Sequence, residues 1–418
     1  MRAIKQSNFI KWFYLGINVK RWLLLMSLGV AIMGLGFSYF LREVYVSYTF
    51  PDSVYYITLQ FLPRWLRGLL FFAISGGVIL FAFWKLNNSL LSALLRRSGD
   101  ESLVSVLYSN RYLARGPKVV AIGGGTGLST LLRGLKEHTS NLTAVVTVAD
   151  DGGSSGRLSP ALGLPPPGDC RRALLALSPD PSPWRDAACH RFQEGDVAGH
   201  SLGNLILAGL AASEGGLERA LETLGRLLGA RGRVVPASSQ PLELRAVVEG
   251  AEVRGQVAIA LGRGRIEALT VDPPGADASP AALDALAAAD QVVIGPGSLF
   301  TSLGAVLVVP GMVAALNDSK AQLVYVCNLT TQDGETLGLD GTGHVRALME
   351  VAGMRPPDVV VANEAAFPVP ATVEAVRADR AEIEALGPRV ELAALADPSA
   401  PWPQHDPARL GAVLRRLA

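Results

Sequence analysis

The sequence contains few of the residues that mark several protein classes. Its 418 residues include only three cysteines, which form no C-x-x-C pair, so neither a disulfide framework nor a zinc ribbon is supported. Five histidines without an H-E-x-x-H motif argue against a zincin protease. The 38 basic and 37 acidic residues leave a net charge of +1, which gives no general attraction to nucleic acid. We therefore expect reduced thiols and no nucleic-acid partner.

Hydrophobic residues, in contrast, are abundant. They make up 49% of the chain against 18% charged residues, and the mean hydropathy of +0.30 is high for a wholly soluble enzyme. Two uncharged runs stand out: Trp22–Leu41, which would span roughly 30 Å as a helix, and the shorter Gly68–Trp84. They predict a two-helix transmembrane hairpin. A cleaved signal peptide is the alternative for the first run, but that run is too long and no small-x-small cleavage site follows it.

Basic residues flank both outer ends of this hairpin. They are Arg2, Lys5, Lys11, Lys20 and Arg21 before it, and Lys85, Arg96 and Arg97 after it. The positive-inside rule therefore predicts a multi-pass protein of the cell membrane with both ends in the cytoplasm. The expected segments are a cytoplasmic N-terminus (1–21), two spans (22–41 and 68–84), an external loop (42–67), a juxtamembrane linker (85–116) and a cytosolic domain (117–418).

Short β-branched runs alternate with longer amphipathic runs after residue 117. Strands are predicted at Lys118–Ile122, Ala144–Val148, Gln291–Ile294, Leu323–Val326 and Asp358–Val361. Helices are predicted at Leu128–Leu135, Leu217–Leu228, Ala281–Ala289, His344–Ala352 and Pro407–Leu417. This alternation implies right-handed crossovers and a mainly parallel sheet, which is an α/β fold.

Two stretches depart from the alternation. Ala161–Leu228 is rich in proline and then helical, and we expect it to form a helical cap over the sheet. Leu244–Glu249 and Gln256–Leu261 flank two glycines in the manner of a β-hairpin, which predicts an antiparallel excursion at the sheet edge.

A glycine-rich cluster, Gly123-Gly124-Gly125-Thr126-Gly127, follows the first predicted strand and opens a helix. Glycines let backbone N–H groups approach a phosphate, and a helix N-terminus favours negative charge. The cluster is neither a Walker A loop nor a complete G-x-G-x-x-G fingerprint. Taken alone, a tight structural turn and a phosphate site remain equally open.

A second cluster runs from Asp150 to Arg157 and includes Asp151, Ser154, Ser155 and Gly156. Its two adjacent carboxylates are suited to Mg²⁺ or to ribose hydroxyls. Residues 152–156 also match G-x-S-x-G, which admits a serine hydrolase. Two aspartates intervene after the strand, however, and Pro160 is expected to cut any helix short, so that alternative is disfavoured.

Further polar clusters lie at the starts of helices and after predicted strands. They are the triple-proline segment with Gly168, Asp169 and Arg171; His200 to Asn204; Gly295, Gly297, Ser298 and Thr301; and Asn328 to Thr336. Helix capping and a structural histidine would explain some of these residues. In an open parallel sheet, however, ligands bind outside the carboxyl ends of the strands. The clusters together predict a phosphorylated ligand, most simply a nucleotide.

Six motifs in this order resemble the gluconeogenesis factor family. They are A-I-G-G-G-T-G-L-S, V-A-D-D-G-G-S-S-G-R-L, P-P-P-G-D-x-R, H-S-L-G-N-L, G-P-G-S-L-F-T-S and C-N-L-T-T-Q-x-G-E-T, within residues 117–360. That family is similar to 2-phospho-L-lactate transferase, which makes a phosphodiester from a guanylyl-activated phospholactate and a deazaflavin. Some members of the gluconeogenesis factor family carry an N-terminal membrane hairpin.

The resemblance implies a Rossmann-like fold that binds a nucleotide-sugar, notably UDP-N-acetylglucosamine, and a role in cell shape and in growth on gluconeogenic carbon. It implies no known reaction. By position, the resemblance assigns phosphate binding to Gly124 to Gly127, and ribose or Mg²⁺ binding to Asp150, Asp151 and Asp169. It assigns pairing with the pyrophosphate to Arg157 and Arg171. The residues that would complete the pocket are Asn204, Ser298, Thr301 and Asn328.

Two residues depart from the family pattern: Arg172 stands where asparagine is usual, and Gln256 where glutamate is usual. The glycine-serine stretch after Asp151 also lacks the bulky residues by which the transferases contact deazaflavin. We expect a membrane-tethered sensor with no assured organic cofactor, acting as a homo-oligomer on a cell-wall-synthesis or signalling partner. A Mg²⁺-dependent phosphotransferase is the rival. An NAD(P)-linked oxidoreductase is a weaker third possibility.

Overall fold

A computed structural model describes residues 19–48, 51–94 and 112–418. The chain divides into two units, Met1–Arg111 and Tyr112–Ala418. Expectations for residues 1–18 and 95–111, which include most of the predicted N-terminus and linker, lie outside the described residues.

The described residues of the first unit form three helices, Val19–Ser47, Asp52–Ile57 and Arg64–Leu94. The two long helices contain the two uncharged runs and extend beyond them. Among the described residues, one stretch, Arg64–Ala82, is long and apolar enough by itself to cross a membrane. A bent helix pair in the second unit passes the same test as a pair, yet its residues Met312 and Leu316 are buried in the core. The transmembrane hairpin and its orientation stay predictions.

A seven-stranded sheet forms the centre of the second unit. Its strands are β1 (Val119–Gly123), β2 (Leu142–Val146), β3 (Arg233–Pro236), β7 (Gln291–Ile294), β8 (Gln322–Val326), β9 (Val359–Asn363) and β10 (Arg389–Ala393). They pair in the order β10-β9-β8-β7-β1-β2-β3. Every pair is parallel, which confirms the predicted mainly parallel sheet.

The strand order reverses between β1 and β7. From β1 the chain builds outward through β2 to β3, then returns to the other side of β1 and continues outward to β10. Such a reversal opens a crevice at the carboxyl ends of the two central strands, which is where open α/β sheets bind ligands. The carboxyl ends of β1 and β7 carry the two glycine-rich loops.

Side chains of β1 alternate between two hydrophobic cores on opposite faces of the sheet. Val119 and Ala121 belong to one core, and Val120 and Ile122 to the other. The helices of the first face are Gly125–Leu135, Gly168–Leu177, Leu202–Glu214, Leu217–Leu228 and Pro407–Leu417. Those of the second face are Pro280–Ala287, Leu299–Gly304 (a π-helix), Ala305–Leu307, Met312–Asp318, Gly341–Ala352 and Arg380–Glu384.

The Ala161–Leu228 region contains two further helices besides those of the first face. Pro183–Cys189 lies within the region, and Gly153–Leu162 ends in it. Leu174, Leu221 and Leu224 of this region pack in one core with Leu142 and Val234 of the sheet. The predicted helical cap is therefore part of a regular layer on one face, since the parallel pair β2–β3 requires a crossover there.

The antiparallel prediction was wrong in two respects. β4 (Glu243–Val248), β5 (Ala251–Arg254) and β6 (Ile266–Asp272) form a separate three-stranded sheet that packs on the second face, not an edge of the main sheet. Gln256–Leu261 is a helix, not the second strand of the hairpin. Gly255 follows β5 with a φ of 88°, and Asp151 Oδ1 accepts the Val257 N–H at 3.0 Å at the start of the helix.

Candidate functional site

A cleft of about 360 Å³ lies at the carboxyl ends of the central strands. The predicted residues that line it are Gly125, Asp150, Ser154, Ser155, Gly168, Asp169, Arg171, Asn204 and Ser298. The structure adds Gly152, Gly153, Arg172, Arg191, Gln256 and Ser302. Polar groups from segments far apart in the sequence therefore converge on one place, at the reversal of strand order.

Three helices begin at this cleft without a cap from the side chain of the residue that precedes them. Their first residues are Gly125, Gly153 and Gly168, and each helix is at least ten residues long. The first N–H groups of a helix have no partner within the helix, and the helix dipole places partial positive charge there. The cleft therefore has the backbone donors of an anion site.

Close backbone approach explains the glycines of the first loop. A Cβ at Gly124 would lie 2.6 Å from Asp169 Oδ2, and a Cβ at Gly127 would overlap the Pro296 carbonyl oxygen of the second loop. Gly127 thus joins the two loops through backbone contact and does not line the cleft.

The three carboxylates that sequence analysis grouped together have different environments. Asp169 is buried; its Oδ2 accepts the Gly125 N–H at 2.9 Å, and its Oδ1 accepts from Arg172 Nη1 at 3.2 Å. Asp150 Oδ1 accepts the Gly152 N–H at 3.0 Å and also lines the cleft. Asp151 is exposed and faces the Gly255 turn instead of the cleft. Only two of the three therefore lie at the site.

Burial raises the pKa of the Asp169 carboxyl above its ordinary value, and the charge of Asp150 adds to the rise, while Arg172 opposes it. The two carboxylates thus repel each other electrostatically across the cleft floor.

Arginines supply the positive side chains of the cleft. Arg171 is buried; its Nη1 donates to the Ala188 carbonyl at 3.4 Å, while its Nε has no hydrogen-bond partner. A buried donor without a partner is costly, and a ligand oxygen would satisfy it. Arg191 lines the same cleft. Arg157, which was predicted to pair with pyrophosphate, donates to the Ala198 carbonyl at 2.8 Å and does not line the cleft.

Ser154 is held by two side chains from the segment 200–204. Its Oγ lies 3.0 Å from His200 Nδ1 and accepts from Asn204 Nδ2 at 2.9 Å. Burial, together with the charges of Arg157 and Arg191, lowers the pKa of His200, which favours the neutral imidazole. Ser201 caps its helix as expected, with its Oγ accepting the Asn204 N–H at 3.3 Å.

The G-x-S-x-G match does not form a nucleophile elbow. β2 ends at Val146 and the next helix begins at Gly153, so no sharp strand-to-helix turn presents the serine. The expectation that Pro160 would cut this helix short was wrong, because the helix continues through it to Leu162. Ser154 nevertheless contacts a histidine, a pairing that sequence analysis did not find.

The second glycine loop is held by side chains that follow β8. Asn328 Oδ1 accepts the Gly297 N–H at 3.1 Å, and its Nδ2 donates to the Gly297 carbonyl at 2.8 Å. Gln332 Nε2 donates to Ser298 Oγ at 2.9 Å. Gly295 has a φ of 79°, which favours glycine at the start of the loop.

Glu335 fixes the start of the adjoining π-helix. Its carboxylate accepts from Phe300 N–H at 3.2 Å, Thr301 N–H at 3.3 Å and Thr301 Oγ1 at 2.5 Å. Burial raises the pKa of this carboxyl. Thr301 is thus part of the support for the loop and not of the cleft lining.

Several predicted site residues surround the cleft without lining it. They are Gly123, Gly124, Thr126, Gly127, Asp151, Gly156, Arg157, His200, Gly295, Gly297, Thr301 and Asn328. Of the unpredicted lining residues, Arg172 and Gln256 had been singled out as departures from the family pattern, and Ser302 ends a recognised motif. Arg191 belongs to no motif; its backbone bridges to Ser201, ten residues along the chain from it, and this bridge brings it to the cleft.

Comparison with known proteins agrees with this architecture. Residues 119–396 match the family described as 2-phospho-L-lactate transferase CofD. A "Putative gluconeogenesis factor" of Nostoc sp. is 38% identical over 423 residues, covering 98% of this chain and 92% of the relative. The "Gluconeogenesis factor" of Halalkalibacterium halodurans is 44% identical over 260 residues, covering 62% of this chain and 80% of the relative.

A crystal structure of a Bacillus halodurans protein superimposes with a TM-score of 0.68 at 38% identity, covering 72% of this chain and 99% of that one. The chain belongs to the 2-phospho-L-lactate transferase CofD family, among the relatives named gluconeogenesis factor.

Proposed function

We propose that this protein binds a nucleotide-sugar of the UDP-N-acetylglucosamine type and thereby regulates cell-wall synthesis, cell shape and growth on gluconeogenic carbon. The observation that carries the proposal is the convergence of three helix N-termini and three arginines on one cleft. These are the donors that recognise a diphosphate.

Hydroxyl and amide groups support the sugar-nucleoside part of the proposal. Ser154, Ser155, Asn204, Ser298 and Ser302 line the same cleft as the arginines. Asn204 Oδ1 is buried without a hydrogen-bond partner, so it would accept from a ligand hydroxyl or N–H. The volume of about 360 Å³ lies within the range of small-molecule sites, about 300–1,000 Å³.

The regulatory part of the proposal rests on the N-terminal unit and on the family. The transmembrane hairpin would hold the nucleotide-binding unit at the cytoplasmic face of the membrane, where a cell-wall-synthesis or signalling protein would contact it. A homo-oligomer is part of the same proposal. Nearly all of this chain aligns with the Nostoc relative, so the N-terminal unit is shared with that protein.

Titration calorimetry of the full chain in detergent tests the binding step. UDP-N-acetylglucosamine, UDP-glucose, GDP and NADH are titrated separately, and each mixture is then analysed for product. We expect micromolar binding of a UDP-sugar, weak or no binding of GDP and NADH, and no product. Absence of UDP-sugar binding with a ligand-free, folded protein would refute the proposal.

A phosphotransferase is the second candidate, because Asp150 and Asp169 both face the cleft. Product formation from a nucleotide-activated donor would favour it. In that case Asp169→Asn should abolish turnover and retain most of the ligand binding.

A further inference from the structure

Asp169 is already engaged on both of its carboxylate oxygens. One oxygen accepts the Gly125 N–H at 2.9 Å and the other accepts from Arg172 at 3.2 Å. The Asp169 side chain is 7% exposed, whereas Arg172 is 49% exposed and lies at the cleft rim. The guanidinium is therefore paired with a carboxylate oxygen that a metal ion would need.

The other carboxylates do not complete a metal site. Asp150 Oδ1 is hydrogen-bonded to Gly152, and Asp151 faces away from the cleft. In the part of the chain that the structure describes, no three His, Cys, Asp or Glu side chains are grouped to hold a metal ion. Mg²⁺ requires near-octahedral oxygen ligands and is usually held by one or two carboxylates together with phosphates. Both oxygens of Asp169 and Oδ1 of Asp150 are already hydrogen-bonded, so among the carboxylates that line the cleft Asp150 Oδ2 is left to offer such an ion.

The charge of the cleft is already suited to a diphosphate. Three arginines and two aspartates line it, which leaves one net positive charge from side chains. The helix N-termini at Gly125, Gly153 and Gly168 add partial positive charge. A second cation beside Arg172 would be repelled by these groups.

We infer that Arg172 takes the place of a divalent cation at this cleft, so that the nucleotide diphosphate binds without Mg²⁺. The inference deepens the proposed function and rests on it for the identity of the ligand. Arg172 is then a specificity-determining residue: it pairs with Asp169 and leaves its remaining donors free for phosphate oxygens, as a bridging metal would do.

Metal binding can be measured without any nucleotide. Mn²⁺ alone is titrated into the full chain in detergent and followed by electron paramagnetic resonance. We expect no Mn²⁺ site that depends on Asp150 in the wild-type protein, and a gain of at least about tenfold in affinity in Arg172→Asn, because the competing guanidinium is gone. Arg346→Asn, which removes an exposed arginine outside the cleft lining, should change nothing.

Two results of this titration would overturn the inference. One is Mn²⁺ binding by the wild-type protein that Asp150→Asn abolishes. The other is an Arg172→Asn protein that folds normally, by its thermal transition, and gains no Mn²⁺ affinity.

Nucleotide titrations provide the second arm. UDP-N-acetylglucosamine should bind wild-type protein equally, within about twofold, in EDTA and in Mg²⁺, whereas Arg172→Asn should lose about tenfold in EDTA and recover part of it in Mg²⁺. A wild-type protein that binds only in Mg²⁺ would overturn the inference. If no UDP-sugar binds under either condition, the proposed function fails, and the Mn²⁺ titration alone decides the role of Arg172.

Discussion

The two walls of the cleft are built in different ways. The wall that follows β1 and β2 presents arginines, helix N-termini and the buried Asp169 directly to the cleft. The wall that follows β7 presents mainly hydroxyl groups, and its backbone is held from behind by Asn328, Gln332 and Glu335. One wall supplies charge and the other supplies a fixed shape. Substitutions in the two walls should therefore affect ligand affinity and stability differently.

A substitution at the backbone contact between the two walls should lower the stability of the protein most. Gly127→Ala would drive a methyl group into the Pro296 backbone, which has no flexible side chain to move aside. We expect a loss of about 2–3 kcal/mol in the free energy of unfolding. Gly275→Ala is the matched control, because its Cβ would meet open space, and it should stay within about 0.5 kcal/mol. Urea denaturation of both variants checks this; equal stabilities would show that the two loops are not in rigid contact.

Substitutions in the wall that follows β1 and β2 should lower ligand affinity more than substitutions in the wall that follows β7. Arg171→Met keeps much of the packing but removes charged donors, so UDP-sugar affinity should fall by about tenfold to a hundredfold. Ser298→Ala removes a neutral hydroxyl and should cost about twofold to tenfold. Calorimetry measures both, with the exposed Arg226→Met as control. A larger loss for Ser298→Ala would invert the roles assigned to the walls.

The smallest effect should be the pH dependence that Glu335, behind the wall that follows β7, gives to the free energy of unfolding. Because burial raises the pKa of Glu335, the folded state holds this proton to higher pH than the unfolded state. The contribution of Glu335 to stability is therefore full below the ordinary glutamic acid pKa and is lost as pH rises through the raised value. Glu335→Gln should remove this pH dependence of the free energy of unfolding while keeping the shape of the side chain. Unfolding curves over a pH series measure it; an unchanged slope would contradict the assignment.

The alternation of strands and helices was predictable because it depends on local periodicity. The strand Gln291–Ile294 and the helices Leu217–Leu228 and Pro407–Leu417 have the predicted bounds. The Gln256–Leu261 segment was mistaken for a strand because a short apolar run has no decisive period, and the Gly255 turn with its Asp151 cap decides it.

The members of the site were only partly predictable. Glycine loops at the carboxyl ends of strands indicated where the cleft lies, since parallel strands bring those ends to one edge. The side-chain partners come from distant segments: Gly125 and Asp169 are 44 residues apart, and Ser154 and His200 are 46 apart. The adjacent residues Asp150 and Asp151, by contrast, lie at different places: Asp150 lines the cleft and Asp151 faces the Gly255 turn.

The sequence by itself determined the α/β alternation and the positions of the two glycine loops, since these depend on residue type and short-range order. Only the tertiary structure decided which carboxylates share the cleft, that Arg191 joins it, and that Arg172 is paired with Asp169. Those outcomes depend on how crossovers pack on the sheet, and packing brings together residues whose spacing along the chain carries no signal.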